Sequence, residues 1–278
     1  MGPVRDKIKD GGKKMSILKK IIKAKKAEVK LKKEKMPLEK LLNDITKAPA
    51  NRNFRDVFEY NDFSIIAEIK KKSPSKGTIK ANISVRKIAE NYEASGARAI
   101  SVVTDKKFFD GKLEYIEEVK KYSSLPVLRK DFIIDEYQIY ESRWARADAV
   151  LLIAAALEKK VVNQFVKKVR FLNMTPIVEV HNGDDLKKAL GSGVDIIGIN
   201  TRDLKTFKIN FGVIKSLIKS IPKDKYVIIE SGVEEVEDLE KILIDSRIKG
   251  ILVGTMFMKM SEKDVKESMH KIMSKYGN

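Results

Sequence analysis

The stretch IIAEIKKKSPSKG, residues 65–77, begins as a buried strand and ends as a highly charged turn. Glu68 and Lys70 stand in or directly after its apolar run, although the interior of a strand normally excludes ionised groups. Taken alone, the stretch fits a frayed strand end with solvated charges, because charge runs usually form solvated faces. The pattern of the rest of the chain decides between that interpretation and a functional one.

Seven more apolar runs follow along the chain, and a segment with helical periodicity comes after each of the eight. The runs cover residues 63–69, 97–103, 125–130, 148–154, 175–180, 194–200, 225–231 and 249–254. The helical segments cover residues 84–95, 112–122, 135–146, 157–172, 182–192, 210–220, 234–245 and 261–276. Near-continuous apolar strands that alternate with helices predict a parallel sheet covered on its outer face. Eight such units favour an α/β fold of the (β/α)₈ TIM barrel type. An open doubly wound sheet is the alternative, but the sequence lacks the GxGxxG, P-loop and GxSxG motifs.

The region before the first strand is predicted to be an N-terminal helical extension. Apolar residues spaced among lysines indicate an amphipathic helix over residues 16–35, followed by a shorter helix up to about residue 45. We expect residues 1–14 to be a disordered leader or an expression remnant. Residues 15–278 are then predicted to form a single barrel domain that includes both helices.

Composition excludes several classes of protein. The 278-residue chain is 43% apolar, enough for a large core. No apolar run approaches the roughly 18 residues that span a bilayer, and no secretory signal is recognisable, so we expect a cytoplasmic protein without a membrane partner. Cysteine is absent, and two histidines cannot build a multi-histidine metal centre. His181 is interpreted as a helix-start or solvent residue, and His270 as a surface residue.

The net charge of +18 is concentrated near the N-terminus. Residues 1–40 hold 15 Lys and Arg against 5 Asp and Glu, a net of +10, which leaves +8 for the other 238 residues. A basic stripe could follow a phosphate backbone, but this one lacks interleaved aromatic residues and any base-reading motif. A solvated face is the preferred interpretation, and a nucleic-acid-binding protein on an inert barrel is the alternative. The same positive field would attract an anionic small substrate.

Polar residues collect where the predicted strands end, and this is where barrel enzymes place their chemistry. They are Glu68 and Lys70 after strand 1, Lys130 in strand 3, Glu179 in strand 5, Asn200 and Arg202 at strand 6, and Glu230 and Ser231 in strand 7. We expect these strand ends to converge on one mouth. Several charges at one barrel rim make the solvated interpretation of the first stretch unfavourable.

Side-chain parity indicates which of these groups point inward, because residues two apart on a strand share a face. Glu68 and Lys70 therefore point the same way, which leaves their apolar neighbours to face the helices. The same parity sends Glu179 inward. We expect Glu68 to meet both Lys70 and Lys130, and the clustered charges to shift one another's pKa values as acid–base chemistry requires.

Glycines follow the last two predicted strands, in ESGV (residues 230–233) and VGTM (residues 253–256). Backbone N–H groups freed by glycine near a helix start bind anions, and the loops after strands 7 and 8 hold phosphate in many barrel enzymes. The sequence therefore predicts a phosphate site between these two loops.

Signature stretches along residues 52–260 resemble those of the indole-3-glycerol-phosphate synthase family, in the family's order. They are IIAEIKKKSPSKG, GARAISVVTDKKFFDG, VLRKDFIIDEYQIYES, ADAVLLIAA, PIVEVHN, IGINTRDLKTF, IIESGV and ILVGTMFM. The resemblance implies a barrel whose N-terminal helices cross the mouth. It also implies a step of tryptophan biosynthesis, in which 1-(2-carboxyphenylamino)-1-deoxyribulose 5-phosphate loses CO₂ and water to give indole-3-glycerol phosphate, without a metal or organic cofactor.

The resemblance also implies catalytic roles for residues at matching positions. Lys130 is expected to act as the general acid at the ribulose carbonyl, and Glu179 as acid or base in the dehydration. Glu68 would stabilise the cationic intermediate and assist decarboxylation or proton removal. Lys70 would contact the substrate and donate a proton, with the division of labour between the two lysines left open. Asn200 would orient the anthranilate ring.

Further residues are implied to bind the substrate, a phosphorylated small molecule. Its carboxylate and aromatic part would be held by Ser73, Arg202, Phe109 and Phe132, while Glu230 supports the lysine network. Its phosphate would be held by Ser231, Gly232, Gly254 and Thr255. A monomer or weak homo-oligomer with no nucleic-acid partner is expected.

Two points qualify the resemblance. The turn before strand 4 usually reads Gly-Ala-Asp in the family, whereas this chain has Arg146, so a positive φ is expected there at a cost of about 1 kcal/mol. Phosphoribosylanthranilate isomerase, or another phosphate-binding barrel enzyme, is the nearest alternative and would share the glycine loops. It would not require the two lysines and two glutamates on strands 1, 3 and 5.

Overall fold

Eight parallel strands close into a barrel, which confirms the TIM barrel prediction. The computed structural model describes residues 16–59, 63–204 and 206–277, so the predicted leader at 1–14 lies outside the described residues. The barrel strands are β1 (Ser64–Ile69), β4 (Ala99–Val103), β5 (Val127–Lys130), β6 (Ala149–Ile153), β7 (Thr175–Val180), β8 (Ile196–Asn200), β9 (Tyr226–Glu230) and β10 (Ile248–Val253). Each strand pairs with the next, and β10 closes the barrel on β1. A two-stranded hairpin, β2 (Lys72–Ser73) and β3 (Gly77–Thr78), follows β1.

The strands are mostly apolar, which allows both of their faces to be buried. Side chains such as Ile66, Ile177 and Ile228 fill the barrel interior. Their strand neighbours, including Ala67 and Val178, pack outward against the helices. This alternation agrees with the predicted parity, and it leaves Glu68 and Glu179 on the inward face.

Helices cover the outside of the barrel between successive strands. They are α4 (Val85–Ala94), α5 (Lys106–Phe109), α6 (Glu114–Tyr122), α7 (Glu136–Trp144), α8 (Lys159–Phe171), α9 (Gly183–Gly191), α10 (Gly212–Ile218), α11 (Leu239–Ile242), α12 (Thr255–Lys259) and α13 (Glu262–Tyr276). Short 3₁₀ turns occupy Ala154–Ala156 and Val236–Asp238. The helix predicted over residues 234–245 is shorter in the structure, where it corresponds to α11. The chain leaves α11 at Leu243 and enters a turn in which Arg247 contacts Asp245. Among the described residues, no helix has the length and apolarity to cross a membrane.

The N-terminal helical extension is confirmed, and it reaches both ends of the barrel. It consists of α1 (Ile17–Lys35), α2 (Leu38–Thr46) and α3 (Asp56–Glu59). At the carboxyl ends of the strands, Ile21 of α1 packs into the interior cluster. At the amino ends, Phe54 and Phe58 join the same cluster, and the Phe58 ring stacks on Tyr226 at 5.6 Å between centroids. The extension therefore closes the bottom of the barrel as well as covering part of its mouth.

The turn before β6 has the backbone conformation expected from the sequence. Arg146 has φ 68°, in the left-handed region that favours glycine. The turn lies at the amino end of the barrel, where Ala147 N–H donates to the Ser142 carbonyl at 2.9 Å. The strain therefore lies away from the mouth.

Candidate active site

One cleft at the carboxyl ends of the strands brings the predicted site residues together. Its lining includes Glu68, Lys70, Ser73, Phe109, Lys130, Phe132, Glu179, Asn200, Arg202, Glu230, Ser231, Gly232, Gly254 and Thr255. Its empty volume, counted to the opening, is about 1210 Å³. The strand ends thus converge on one mouth, because parallel strands of a closed barrel all finish on the same face.

Lys130, at the end of β5, is the central cation of the cleft. Its Nζ lies 3.1 Å from Glu179 Oε2 and 2.5 Å from Glu230 Oε2. Of the two lysines expected to meet Glu68, Lys70 forms the ion pair. Lys130 does not contact Glu68 directly, although the charge of Glu68 contributes to raising the pKa of Lys130. Lys70 is two residues away on the same face, so it meets Glu68 locally, whereas the Lys130 side chain extends across the barrel to β7 and β9.

The two carboxylates that share Lys130 have opposite pKa shifts. Burial alone would raise the pKa of Glu179, but the Lys130 ammonium and the His181 imidazole outweigh it and lower that pKa to about 2. Burial, reinforced by the neighbouring Glu179, raises the pKa of Glu230 to about 8 despite Lys130. The two carboxyl groups are therefore driven apart in pKa, and Glu230, which is kept neutral more readily, can serve as an acid beside the ionised Glu179.

Lys130 itself stays charged in this setting. Burial would lower its pKa, but the negative charges of Glu230, Glu179 and Glu68 raise it above its ordinary value. The cleft consequently contains an ammonium group held between two carboxyl groups, with Glu68 and Lys70 beside them.

Two glycines provide the space in which the carboxylates lie. A Cβ atom at Gly198 would collide with Glu230 Oε1, and one at Gly254 would collide with Glu68 Oε1. Sequence reasoning assigned Gly254 to phosphate alone and did not identify Gly198. Both glycines could have been found from the sequence by their position. Each lies on the inward side of a barrel strand or at its end, beside a strand that carries an inward carboxylate.

The loop after β9 has the backbone expected of an anion site. Ser231 and Gly232 have φ values of 67° and 91°. A Cβ atom at Gly232 would lie 2.7 Å from a ring carbon of Phe211 and 2.8 Å from Thr201 Oγ1, so close packing also requires glycine. After the neighbouring strand β10, Gly254 and Thr255 open α12. Both predicted phosphate loops therefore line the same space.

An apolar wall closes the side of the cleft opposite the phosphate loops. The rings of Phe109 and Phe132 lie 6.2 Å apart between centroids. Ile17, Leu18 and Ile21 of α1 also line the cleft, and sequence reasoning did not assign them to the site. Their signal was the apolar face of the predicted first helix, together with the expectation that the N-terminal helices cross the mouth.

A buried lysine fastens α1 to the barrel. The Lys25 side chain is 0% exposed, and its Nζ lies 2.9 Å from both Asp105 and Asp131. Asp131 also contacts Arg129, whose guanidinium binds Glu141 at 2.7 Å. The interpretation of the lysine run as a solvated face is therefore wrong for Lys25, because its position on the helix turns it toward these carboxylates.

The interpretation of His181 as a helix-start or solvent residue is only partly right. It precedes Asn182, which caps α9, but its side chain is only 10% exposed. Its Nε2 lies 3.3 Å from Glu179 Oε1. The imidazole thus belongs to the immediate surroundings of the cleft.

Comparison with known proteins gives the chain a family. The family model described as indole-3-glycerol phosphate synthase matches residues 18–272. An indole-3-glycerol phosphate synthase of Caldanaerobacter subterraneus subsp. tengcongensis is 47% identical over 256 residues, which cover 92% of this chain and 98% of the relative. One from Thermoanaerobacter pseudethanolicus is 46% identical over 244 residues, covering 88% and 93%.

Among solved structures, an N-acetylmannosamine-6-phosphate 2-epimerase from Clostridium perfringens is similar in fold. Its TM-score is 0.57 at 15% identity, and the match covers 81% of this chain and 98% of that one. At that identity the similarity concerns the barrel alone. The family match and the close relatives span almost the whole barrel together with its N-terminal helix, and on these grounds the chain belongs to the indole-3-glycerol phosphate synthase family.

Proposed function

We propose that this chain closes the indole ring of indole-3-glycerol phosphate, a lyase step of tryptophan biosynthesis. The substrate is 1-(2-carboxyphenylamino)-1-deoxyribulose 5-phosphate, and the products are indole-3-glycerol phosphate, CO₂ and water. The observation that carries the proposal is Lys130, held between Glu179 and Glu230 in the cleft that also contains Glu68, Lys70 and both glycine loops.

Carbon–carbon bond formation needs a proton donor at the ribulose carbonyl. Lys130 is a half-buried ammonium that can donate to that oxygen as negative charge develops on it. Lys70 stands beside it and contacts the carboxylate or phosphate side of the substrate. Loss of the ring carboxylate as CO₂ then restores the aromatic ring.

The iminium-like intermediate carries positive charge, which an ionised carboxylate stabilises. Glu68 supplies that charge, and its Oε2 is buried without a hydrogen-bond partner among the described residues. Dehydration needs one group to remove a proton and another to protonate the departing hydroxyl. Glu179 is the ionised base, while the protonated Glu230 and Lys130 supply the acidic side.

Binding groups surround these residues. Phe109 and Phe132 stack along the anthranilate ring, and Asn200, Ser73 and Arg202 orient the ring and its carboxylate. The phosphate binds at the loops of Ser231 with Gly232 and of Gly254 with Thr255, where backbone N–H groups act as donors. These assignments follow the family motifs and agree with the position of each residue in the cleft.

A fluorescence assay for indole-3-glycerol phosphate, started with the carboxyphenylamino-deoxyribulose phosphate, tests the proposal. We expect turnover by the wild-type chain, and a loss of about 10²-fold in the single-turnover rate of Glu68→Gln, which keeps the volume of the side chain. Lys187→Gln, on the exposed face of α9, is the matched control and should keep the wild-type rate. No product from folded wild-type protein would refute the proposed reaction.

Neither alternative has an observation in its favour. Phosphoribosylanthranilate isomerase would not need the four charged residues on β1, β5 and β7. The basic stripe of α1 is partly internal, because Lys25 is buried and Lys32 lies 2.8 Å from Glu141, so it is a poor track for a nucleic acid. We propose that the protein is cytoplasmic and is a monomer or weak homo-oligomer, and light scattering would test its oligomeric state. We also propose that residues 15–278 fold as one unit, which limited proteolysis would test.

A further inference from the structure

His181 lies directly beside Glu179, the residue to which we assign the base. Its Nε2 is 3.3 Å from Glu179 Oε1, while Lys130 Nζ is 3.1 Å from Oε2 of the same carboxylate. Each oxygen of Glu179 therefore faces a different nitrogen that can carry positive charge. Glu179 is 3% exposed and His181 is 10% exposed, so solvent screens these contacts only weakly.

A second carboxylate faces the far side of the imidazole, and both ring nitrogens are buried within ion-pair distance of a carboxylate but without a hydrogen bond among the described residues. Asp185, in the first turn of α9, has Oδ2 at 3.7 Å from His181 Nδ1. That oxygen accepts from the backbone N–H of His181 and from Asn182 Nδ2, both at 3.2 Å. Lys188 lies 3.9 Å from the other oxygen but donates to two backbone carbonyls. Asp185 is thus held in place facing the histidine.

The groups that face His181 favour its charged form. They are Glu179 on β7 and Asp185 on α9, while Glu230 on β9 adds to them at longer range only when it is ionised. Burial lowers the pKa of His181, but Asp185 and Glu179 outweigh burial and raise it above the ordinary value. A protonated imidazole donates from both nitrogens, so it can bridge Glu179 and Asp185, whereas a neutral one can donate to only one of them.

We propose that His181 is a positioning residue for Glu179, which in its protonated form holds one carboxylate oxygen while Lys130 holds the other. This inference rests on the proposed function, because it concerns the base of that reaction. Two cations on two oxygens fix both the plane of the carboxylate and its ionised state. When His181 loses its proton, its positive charge is lost and a single N–H is left for Glu179 and Asp185, so Glu179 is held less firmly.

The first experiment needs no substrate. The chain has two histidines, so the NMR signals of His181 are assigned by comparison with His270→Asn. We expect Glu179→Gln to lower the pKa of His181 by about one pH unit, because it removes a facing negative charge. An unchanged pKa in that variant would overturn the inference, whatever the activity.

The second experiment links the contact to the reaction. The single-turnover rate of wild type is divided by that of His181→Asn across the pH range. At low pH we expect wild type to be about tenfold faster, which is less than the effect of a direct acid or base. The ratio should fall toward one as pH rises through the pKa of His181. The midpoint must match the NMR value. Ionising groups that His181 does not contact affect both proteins equally and cancel in the ratio. His270→Asn, on the exposed face of α13, should give a ratio of one throughout.

The outcomes separate this inference from the proposed function. A ratio that is constant with pH, or a midpoint away from the NMR value, would make His181 merely structural while product formation stands. Absence of product from wild type would refute the proposed function instead. If His181→Asn fails to fold, the pKa comparison between wild type and Glu179→Gln still decides whether the two side chains are coupled.

Discussion

The two ends of the barrel both bury charge, but they treat it differently. At the amino end, the Asp148 carboxylate accepts from Lys120 Nζ with both oxygens at 2.7 Å, and from the backbone N–H groups of Arg52 and Val127 at the same distance. At the carboxyl end, Glu68 Oε2 and Glu230 Oε1 are buried without a hydrogen-bond partner among the described residues. The first cluster is complete, whereas the second leaves acceptors open.

This difference separates charge that serves stability from charge that serves binding. A buried carboxylate whose lone pairs are all satisfied gains nothing from a ligand, and removing its partner costs folding energy. A buried carboxylate with an open oxygen is costly in the free protein, and a cationic or hydrogen-donating substrate removes that cost. Matched substitutions at the two ends should therefore affect different measurements.

Lys130→Met is expected to have the largest effect, on the mouth. It removes the proposed proton donor, so the single-turnover rate should fall by about 10²- to 10⁴-fold. The folding cost should be smaller than at the amino end, because Lys130 is 21% exposed and the two glutamates can take up a proton. Stopped-flow fluorescence measures the rate and urea unfolding the stability. A near wild-type rate would contradict the interpretation that the charges at the mouth serve catalysis.

Lys120→Met makes the same chemical change at the amino end. Lys120 is 4% exposed, and its loss leaves Asp148 buried without a cation, so we expect a loss of about 3–5 kcal/mol in the free energy of unfolding. The single-turnover rate of the folded protein should stay close to wild type. A rate loss comparable to that of Lys130→Met would end the distinction between the two ends.

Glu230→Gln tests the incompletely hydrogen-bonded Glu230 carboxyl group through the pH dependence of stability. A carboxyl group whose pKa is raised to about 8 in the folded state binds more protons there than in the unfolded chain, so its contribution to stability is lost as pH rises from about 4.5 to 8. The variant lacks that loss, so its stability relative to wild type should increase over this window, by up to about 5 kcal/mol for a pKa that is raised by about 3.5. Thermal unfolding at several pH values measures this. A difference that does not vary with pH would place the proton elsewhere.

Arg146→Gly should have the smallest effect. Glycine tolerates the φ of 68°, and the gain is partly offset by the greater freedom of glycine in the unfolded chain, so we expect a stabilisation of up to about 1 kcal/mol. The turn is at the amino end, so the rate should not change. Urea unfolding measures the gain, and Gly96→Ala, where φ is 97°, is the opposite control and should destabilise.

Most of the fold and the composition of the cleft could be predicted because their signals are local. Continuous apolar runs followed by helical periodicity indicate a covered parallel barrel, and two-residue parity sends Glu68 and Glu179 inward. Closure of the barrel then collects every strand end on one face, so residues far apart in sequence line one cleft. The positive φ of Arg146 could also be predicted, because the family usually has glycine at that position.

The pairing of Glu68 with Lys70 could be predicted from parity, but the partners of the other charges were decided by the tertiary structure. Lys130 meets Glu179 and Glu230 rather than Glu68, Lys25 is buried among carboxylates within a run that looks solvated, and His181 turns toward the cleft. These contacts depend on how far strands are staggered around the barrel and on where α1 docks, and neither is set by spacing along the chain. The sequence by itself determined which groups reach the mouth, because periodicity is local, whereas ion pairing is fixed only when distant strands and helices come within a few ångströms.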